Sequence, residues 1–527
     1  MAANWKTKYQ YSDDVWDAVE GVISGVFASV VSGTLLYMAF PPVSWWFLAW
    51  FALVPMMRAQ YQTLPDELSW LAVPTTTVTF LALHFSKVSV GFALGSDAFP
   101  PLIRALLKSK EAILMTIFVS LALLSMGSRR LQRRSGWRLQ VVEPVLFWMG
   151  LDYLRDSVPV LGTSASFAYS QFNANFIVRI SSLIGTLGLS GMIVAVNAAV
   201  LVRILAKRRD DRGYLWRHRP SAEIKARLMR QSTFALSVAG ALLLYGLLAG
   251  LWPPQQDNRV TVGLVQPGRK MTFEYDKGLY TLRNLTLEAS MYGAKIVVWP
   301  EASFRDDPRS QVIWFEITGI AAESGCYLVV PYFTEAPGTL DVPDVVPQFI
   351  NEGLLVSPQG EVLGAGAKDH PVALLGETSA TRGKYPVFET EIGKVGIMIC
   401  YDLNFTNTAR ELRKGGAEIL CVPSNDWKAI SQAQYMYSIF RASENGLIVL
   451  KADSIYDSCI VDPHGRIVRK AVNYAGETAV LVADVPIRKT PALAGRLGGL
   501  LGLLSLATWV GCIAWSLIPK ASKADPR

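Results

Sequence analysis

Eight apolar stretches, seven of them crowded into the first half of the chain, limit what this sequence can fold into more than any other feature. They fall at residues 21–40, 44–57, 69–94, 112–127, 141–154, 177–205, 233–252 and 493–518. A helix needs about 20 apolar residues to cross a bilayer, so most of these are long enough. The stretches at 44–57 and 141–154 are short and would have to tilt or turn back. Buried helices of a large soluble domain would not gather on one side of the sequence in this way. The first stretch has no small-residue cleavage site followed by a mature polar domain, so it reads as an anchor and not a removed signal peptide. A multi-pass α-helical membrane domain of about eight spans is expected.

Charge supplies an orientation. The chain carries a formal net charge of +8, concentrated between apolar stretches. Residues 128–138 hold five arginines and no acid, and residues 203–230 hold ten Lys/Arg against Asp210, Asp211 and Glu223. Excess Lys/Arg marks the cytoplasmic side of a membrane. With the N-terminus inside, spans four and six end where these basic loops fall, span seven leads out, and span eight returns the basic tail at 520–527. The spacing therefore predicts a membrane domain over 1–252, an extracytoplasmic domain over 253–492, and a last span with a cytoplasmic tail over 493–527. Basic residues placed this way orient a membrane protein, and no nucleic-acid partner is expected.

The outer region has a different texture. Strand-like runs at 259–266, 295–299, 327–333, 348–356, 395–400, 417–422, 447–451 and 478–485 alternate with helical patterns at 275–292, 310–324, 407–415 and 432–445. Turn sequences Ser357-Pro358-Gln359-Gly360 and Asp462-Pro463-His464-Gly465 read as hairpins. Alternation of this kind predicts an α/β domain with a mixed sheet. The five cysteines are odd in number and form no CxxC pair or Cys/His cluster, so neither a disulfide framework nor a metal site is expected.

Three strand ends in this region carry reactive groups. The apolar run Gly396-Ile397-Met398-Ile399 stops at Cys400 and gives way to Tyr401 and Asp402; residues 295–298 run into Trp299-Pro300-Glu301; and Gly364-Ala365-Gly366-Ala367 ends at Lys368. Taken singly, each has an ordinary reading, as a packed core cysteine, a solvated loop acid and a solvated loop lysine. Taken together they suit nucleophilic catalysis. A thiolate attacks, and a neighbouring base is needed to make it at neutral pH. Glu301 would take the thiol proton and return it to a leaving group, while Lys368 and backbone N–H groups near Tyr401 would hold a tetrahedral oxyanion.

Trp-Pro-Glu, a lysine after a glycine-rich strand end, and Cys-Tyr-acid, in this order, resemble the nitrilase (carbon–nitrogen hydrolase) superfamily with its Glu-Lys-Cys triad. The membrane part is similar to that of bacterial apolipoprotein N-acyltransferases. It carries Ala39-Phe40-Pro41-Pro42, Trp45-Trp46-Phe47-Leu48-Ala49-Trp50, Tyr169-Ser170-Gln171 and Gly185-Thr186-Leu187-Gly188 with Asn197. That resemblance implies a four-layer α-β-β-α sandwich inserted before the last span of a protein in the bacterial cytoplasmic membrane. It implies a ping-pong acyl transfer with catalytic Glu301, Lys368 and Cys400. The acyl chain would pass from a phospholipid, with phosphatidylethanolamine the expected donor, through a Cys400 thioester to the N-terminal diacylglyceryl-cysteine of an apolipoprotein. Glu377 would support the lysine, and Tyr401, Asp402, Tyr275 and Trp427 would line or support the pocket. No metal or cofactor is implied, and a monomer is expected. Asp402 stands where the family has glutamate, Tyr275 where it tends to have tryptophan, and Lys451 where it has arginine. Two alternatives fit the same residues: a membrane-tethered amidase or lipid hydrolase with another acceptor, and a catalytically silent lipid-binding protein.

Overall fold

The computed structural model describes residues 3–65, 67–86, 110–158, 162–207, 209–210, 213–214, 221–251, 258–270, 275–310, 312–335, 349–372, 377, 382–428, 430–471, 476–487 and 492–518. The N-terminal half contains α1 (Ala3–Ala39), α2 (Ala72–His84), α3 (Lys110–Arg134), α4 (Val142–Asp156), α5 (Ser181–Lys207) and α6 (Ala222–Leu248). Four of these, α1, α3, α5 and α6, are long and apolar enough to cross a membrane. The stretch at 69–94 gives α2 and then leaves the described residues after 86. Helix α4 has only 15 residues, too few for a perpendicular crossing. Small residues bring helices together: a Cβ on Gly33 of α1 would lie 2.6 Å from the Thr76 carbonyl oxygen of α2, so only glycine permits that approach.

The span expected at 44–57 is not formed. In its place are three short turns of different pitch, Trp46–Trp50, Val54–Arg58 and Ala59–Thr63. Broken backbone among apolar helices survives only when its polar groups find partners inside the protein, and here side chains provide them. Asn197 of α5 accepts the Leu53 N–H at 2.9 Å and donates to the Ala49 carbonyl at 2.9 Å. Ser32 accepts the Met56 N–H at 2.7 Å, and Gln171 donates to the Trp46 carbonyl at 2.9 Å. The pair Asp152–Arg155 closes across one turn of α4 at 2.8 Å.

The C-terminal half forms two six-stranded sheets from β1 (Arg259–Gln266), β2 (Ile296–Val298), β3 (Tyr327–Glu335), β4 (Phe349–Val356), β5 (Val362–Ala367), β6 (Val387–Thr390), β7 (Gly393–Ile397), β8 (Ile419–Ser424), β9 (Ile448–Asp453), β10 (Ser458–Val461), β11 (Ile467–Ala471) and β12 (Ala479–Pro486). The first sheet runs β12-β1-β2-β3-β4-β5 and the second β11-β10-β9-β8-β7-β6. In each, parallel inner strands are flanked by antiparallel edges. Helices α7 (Tyr275–Met291) and α8 (Ile313–Ser324) pack outside the first sheet, with Leu279, Leu282, Ile317 and Ile320 against Val265, Val297 and Trp299. Between the sheets, Val262 and Leu264 meet Ile397, Ile419 and Cys421. The fourth layer is α9 (Thr406–Lys414) and α10 (Ser431–Asn445). The result is the four-layer α-β-β-α sandwich. Both hairpin turns appear, with Gly360 and Gly465 at positive φ.

The fourth layer doubles as the contact with the membrane helices. Met436, Ile439 and Phe440 of α10 share one apolar cluster with Phe172, Ile177 and Val178. Burying each such side chain contributes about 1.5–3 kcal/mol. Polar ties fix the register. Arg441, fully buried, donates to the Tyr169 hydroxyl and pairs with Glu444 at 3.0 Å, and Glu444 accepts from Thr186 at the kink of α5. The chain returns as α11 (Leu500–Leu517), the fifth helix of spanning length among the described residues. The sandwich meets the helix bundle at one end, through Asp156 of α4 and Thr186 of α5. Arg130 and Arg203, from the two basic stretches, lie toward the other, where Arg130 reaches the Ser516 carbonyl and Arg203 bonds Ser232 and Thr233.

Candidate active site

Each of the three expected residues stands where a strand ends, and the packing of the two sheets brings those ends together. Glu301 follows β2 past Trp299, whose indole N–H is held by Thr286 of α7 at 2.9 Å. The Glu301 N–H reaches across to the Ser424 carbonyl, at the end of β8 in the other sheet. Lys368 follows β5, and Cys400 comes three residues after Ile397, the end of β7. Gly366 explains the approach of β5 to β7: a Cβ there would lie 2.7 Å from Ile397. A side chain at 366 would push the lysine-bearing strand off the cysteine-bearing one.

The Lys368 ammonium lies 2.9 Å from Glu301 Oε1 and 2.8 Å from Glu377 Oε2, and all three are shielded from solvent to a large degree. Asn351 of β4 donates to the same Glu301 oxygen at 2.7 Å, and its carbonyl accepts the Lys368 N–H at 2.9 Å. Burial alone would lower the Lys368 affinity for its proton, but Glu301, Cys400 and Glu377 outweigh it and hold the lysine well above its ordinary value. It is a fixed cation.

Cys400 has φ of +46°, a left-handed conformation that costs a non-glycine residue roughly 1–3 kcal/mol. The following turn, Cys400–Asn404, begins there. Asp402 holds the turn: its Oδ2 accepts the Ile399 N–H at 2.9 Å and the Asp369 N–H at 3.2 Å, and its Oδ1 accepts the His370 N–H at 2.7 Å. The carboxylate therefore clamps the lysine-bearing segment to the cysteine-bearing one. His370, stacked on Phe405 with ring centroids 3.7 Å apart, packs this clamp. Removing it would orphan three buried N–H groups at about 1–3 kcal/mol each. Asp402→Ala is expected to lose about 3 kcal/mol or more of stability, read as an early thermal transition in detergent, with Asp402→Asn milder because one carbonyl oxygen survives.

The thiol is protonated at rest. Burial pushes its pKa well above the usual value, Glu301 and Asp426 push the same way, and Lys368 and the Asn425 backbone N–H oppose them. Its hydrogen-bond partner is Asp426 Oδ1, at a sulfur–oxygen distance of 3.8 Å. Asp426 pairs in turn with buried Lys451 at 2.7 Å, and burial raises the Asp426 carboxyl to about 7 against the pull of that lysine. Two carboxylates thus flank the sulfur, one bound to Lys368 and one to Lys451. Among the described residues, no group of three or more His, Cys, Asp or Glu is arranged to hold a metal ion.

The remaining expected residues divide. Glu377 contacts the lysine and accepts the Val372 N–H at 2.8 Å. Tyr401 packs edge-on against Phe405. Trp427 is half-exposed, and its carbonyl accepts the Ile430 and Ser431 N–H groups at the start of α10. Tyr275 opens α7, with its side chain outside the described residues. Asn351 and Asp426 were not singled out by sequence reasoning. Asp426 directly precedes Trp427 in the sequence, but Asn351 becomes visible only when β4 is paired with β5.

The family model described as "Carbon-nitrogen hydrolase" matches residues 261–493, which hold both sheets. The model "Apolipoprotein N-acyltransferase N-terminal domain" matches residues 32–199. The apolipoprotein N-acyltransferase of Geobacter metallireducens is 25% identical over 504 residues, covering 89% of this chain and 91% of that protein. The namesake in Gloeobacter violaceus is 26% identical, covering 85% and 86%. An amidase from Nesterenkonia sp. AN1 aligns at TM-score 0.37 and 21% identity, over 46% of this chain and 96% of that one. With both halves matched in order, the chain belongs to the apolipoprotein N-acyltransferase family of the nitrilase superfamily.

Proposed function

We propose that this protein N-acylates the diacylglyceryl-cysteine at the N-terminus of apolipoproteins, taking the acyl chain from a phospholipid through a thioester on Cys400. The observation that carries the reading is the meeting of Glu301, Lys368 and Cys400 in a sandwich docked on membrane helices. In the first half-reaction the Cys400 sulfur attacks the ester carbonyl carbon while its proton passes to Glu301. The oxyanion develops beside the Lys368 ammonium. Collapse breaks the carbon–oxygen bond, and Glu301 returns the proton to the departing lysophospholipid alkoxide. In the second half-reaction the lipoprotein α-amine attacks the thioester, its proton goes to Glu301, and the released thiolate takes that proton back.

The chain divides on this reading into a membrane domain over 1–252, a catalytic domain over 253–492 and a final span with its tail over 493–527. It acts as a monomer. Phosphatidylethanolamine is the donor. The catalytic domain faces away from the cytoplasm, because the Lys/Arg-rich stretches lie at the opposite end of the bundle. Detergent-purified protein given labelled phosphatidylethanolamine and a diacylated lipopeptide is expected to yield triacylated peptide and, with the peptide omitted, an acyl adduct on the Cys400 peptide. Free fatty acid with no triacylated peptide would overturn the acceptor and leave a lipid hydrolase. Lys368→Met is expected to slow acylation by about 10²–10³-fold, which is 2.7–4 kcal/mol, measured as the single-turnover rate of adduct formation.

A further inference from the structure

Away from the triad, a small open cleft lies where α5, α9, the C-terminal end of α10 and residues 493–498 meet. Helix α5 kinks beside it at Gly185 (φ 70°, ψ 177°). Two charged side chains line the cleft, Arg410 and Glu444. Glu444 is already satisfied, with Oε2 3.0 Å from Arg441 and Oε1 accepting from Thr186. Arg410 is not. Its side chain is 19% exposed, and its ion pair with Glu411 spans 3.6 Å, while Glu411 holds Lys414 at 2.8 Å. Arg410 is therefore the less firmly held of the two charges.

The Arg410 guanidinium lies against Gly498, where a Cβ would meet Cδ, Nε and Cζ at 3.2–3.3 Å. Gly498 has φ of +56° and ψ of −141°, a conformation that only glycine adopts readily. Absence of a side chain there leaves the guanidinium face open to the cleft. Immediately beyond, α11 begins, and Leu500, Leu503 and Leu504 are exposed along it. With α11, which has the length and composition of a membrane span, crossing the bilayer, those leucines would face lipid tails and the cleft would lie at the headgroup level of the leaflet next to the catalytic domain.

We infer that this cleft binds the phosphodiester of a phospholipid, with Arg410 on the phosphate and the acyl chains along the exposed leucines of α11. A planar guanidinium with under-used donors matches phosphate oxygens in pairs. The leucine face adds an apolar term that free phosphate cannot exploit. The site rests on α11 spanning the membrane and not on the acyl-transfer reading. None of Glu301, Lys368 and Cys400 lines it.

Native mass spectrometry of the full-length protein, delipidated in detergent and titrated with phosphatidylglycerol or inorganic phosphate, tests this. One phosphatidylglycerol is expected to bind the wild type at least 10-fold more tightly than Arg410→Gln, with Arg410→Lys in between. Inorganic phosphate at 100-fold excess is expected not to displace it. Equal lipid affinity in wild type and Arg410→Gln would overturn the site, and full displacement by phosphate would overturn the lipid as occupant. Should Arg410→Gln fail to fold, a headgroup-photoactivatable phospholipid cross-linked to the wild type decides: adducts within residues 493–501 are expected, and their absence overturns the site. Loss of N-acylation with lipid binding intact would count against the proposed function alone.

Discussion

Cys400→Ala is expected to abolish the acyl adduct and drop turnover by on the order of 10⁴–10⁶-fold, the scale seen when a covalent nucleophile is removed. Fold and pocket should survive the change. Alanine at φ +46° meets the same backbone strain as cysteine, and the Asp402 clamp on Ile399, Asp369 and His370 does not involve the sulfur. Cys400→Ser keeps a hydroxyl in place, but Glu301 would then have to deprotonate a far weaker acid, so the adduct should fall below detection there too. Cys421 and Cys459 are the matching controls. Both are fully buried, and both thiols are pushed up by burial, Cys459 to about 11. Neither lies beside Lys368, so Cys421→Ala and Cys459→Ala are expected to retain the adduct and most of the activity. An adduct on either of those cysteines in the Cys400→Ala variant would refute Cys400 as the nucleophile. The readout is peptide mass spectrometry after exposure to phosphatidylethanolamine, with the thermal transition checking the fold.

The clustering of Glu301, Lys368 and Cys400 could be anticipated from sequence because each sits at an abrupt change of texture, where an apolar strand gives way to polar residues. A strand end buried in a sheet leaves little freedom for the residue that follows, so order along the chain translates into place in the fold. Partners contributed across a strand pair leave no such mark. Asn351 touches Glu301 through the β4–β5 register, and nothing in its neighbours Ile350 and Glu352 announces that. The short strands β6, β10 and β11 were missed for a related reason. They are four or five residues long, and β11 carries Arg469 and Lys470, which dilutes the alternation that marks a half-buried strand. Hydropathy likewise misjudged residues 44–57. It reports that side chains are apolar, and says nothing of Asn197 and Gln171 arriving from elsewhere to satisfy a broken backbone. The departure at Asp402, where the family has glutamate, gains a role once the clamp is seen: both oxygens of this fully buried carboxylate hold backbone N–H groups.

Glu301→Gln and Asp426→Asn should separate the two carboxylates that flank the sulfur. Glutamine can keep its carbonyl oxygen toward Lys368 and Asn351, which both bond Glu301 Oε1, so geometry persists while basicity is lost. General-base removal costs about 10²–10⁴-fold, and the Glu301→Gln loss is expected across the whole accessible pH range in single-turnover acylation. Asp426 acts with the opposite sign. Its anion raises the Cys400 pKa, and the carboxyl titrates near 7. Below pH 7 it is largely protonated, and asparagine should change the rate little. Above pH 7 the ionised wild-type residue opposes thiolate formation, so Asp426→Asn is expected to acylate faster than wild type there, with the gain growing as pH rises from 7 to 8.5. Loss of Lys451's partner in that variant is cushioned by Asp453, 3.4 Å from the same ammonium. A collapse of acylation in Asp426→Asn together with near-normal rates in Glu301→Gln would transfer the base from Glu301 to Asp426, the carboxylate that accepts from the thiol in the resting geometry.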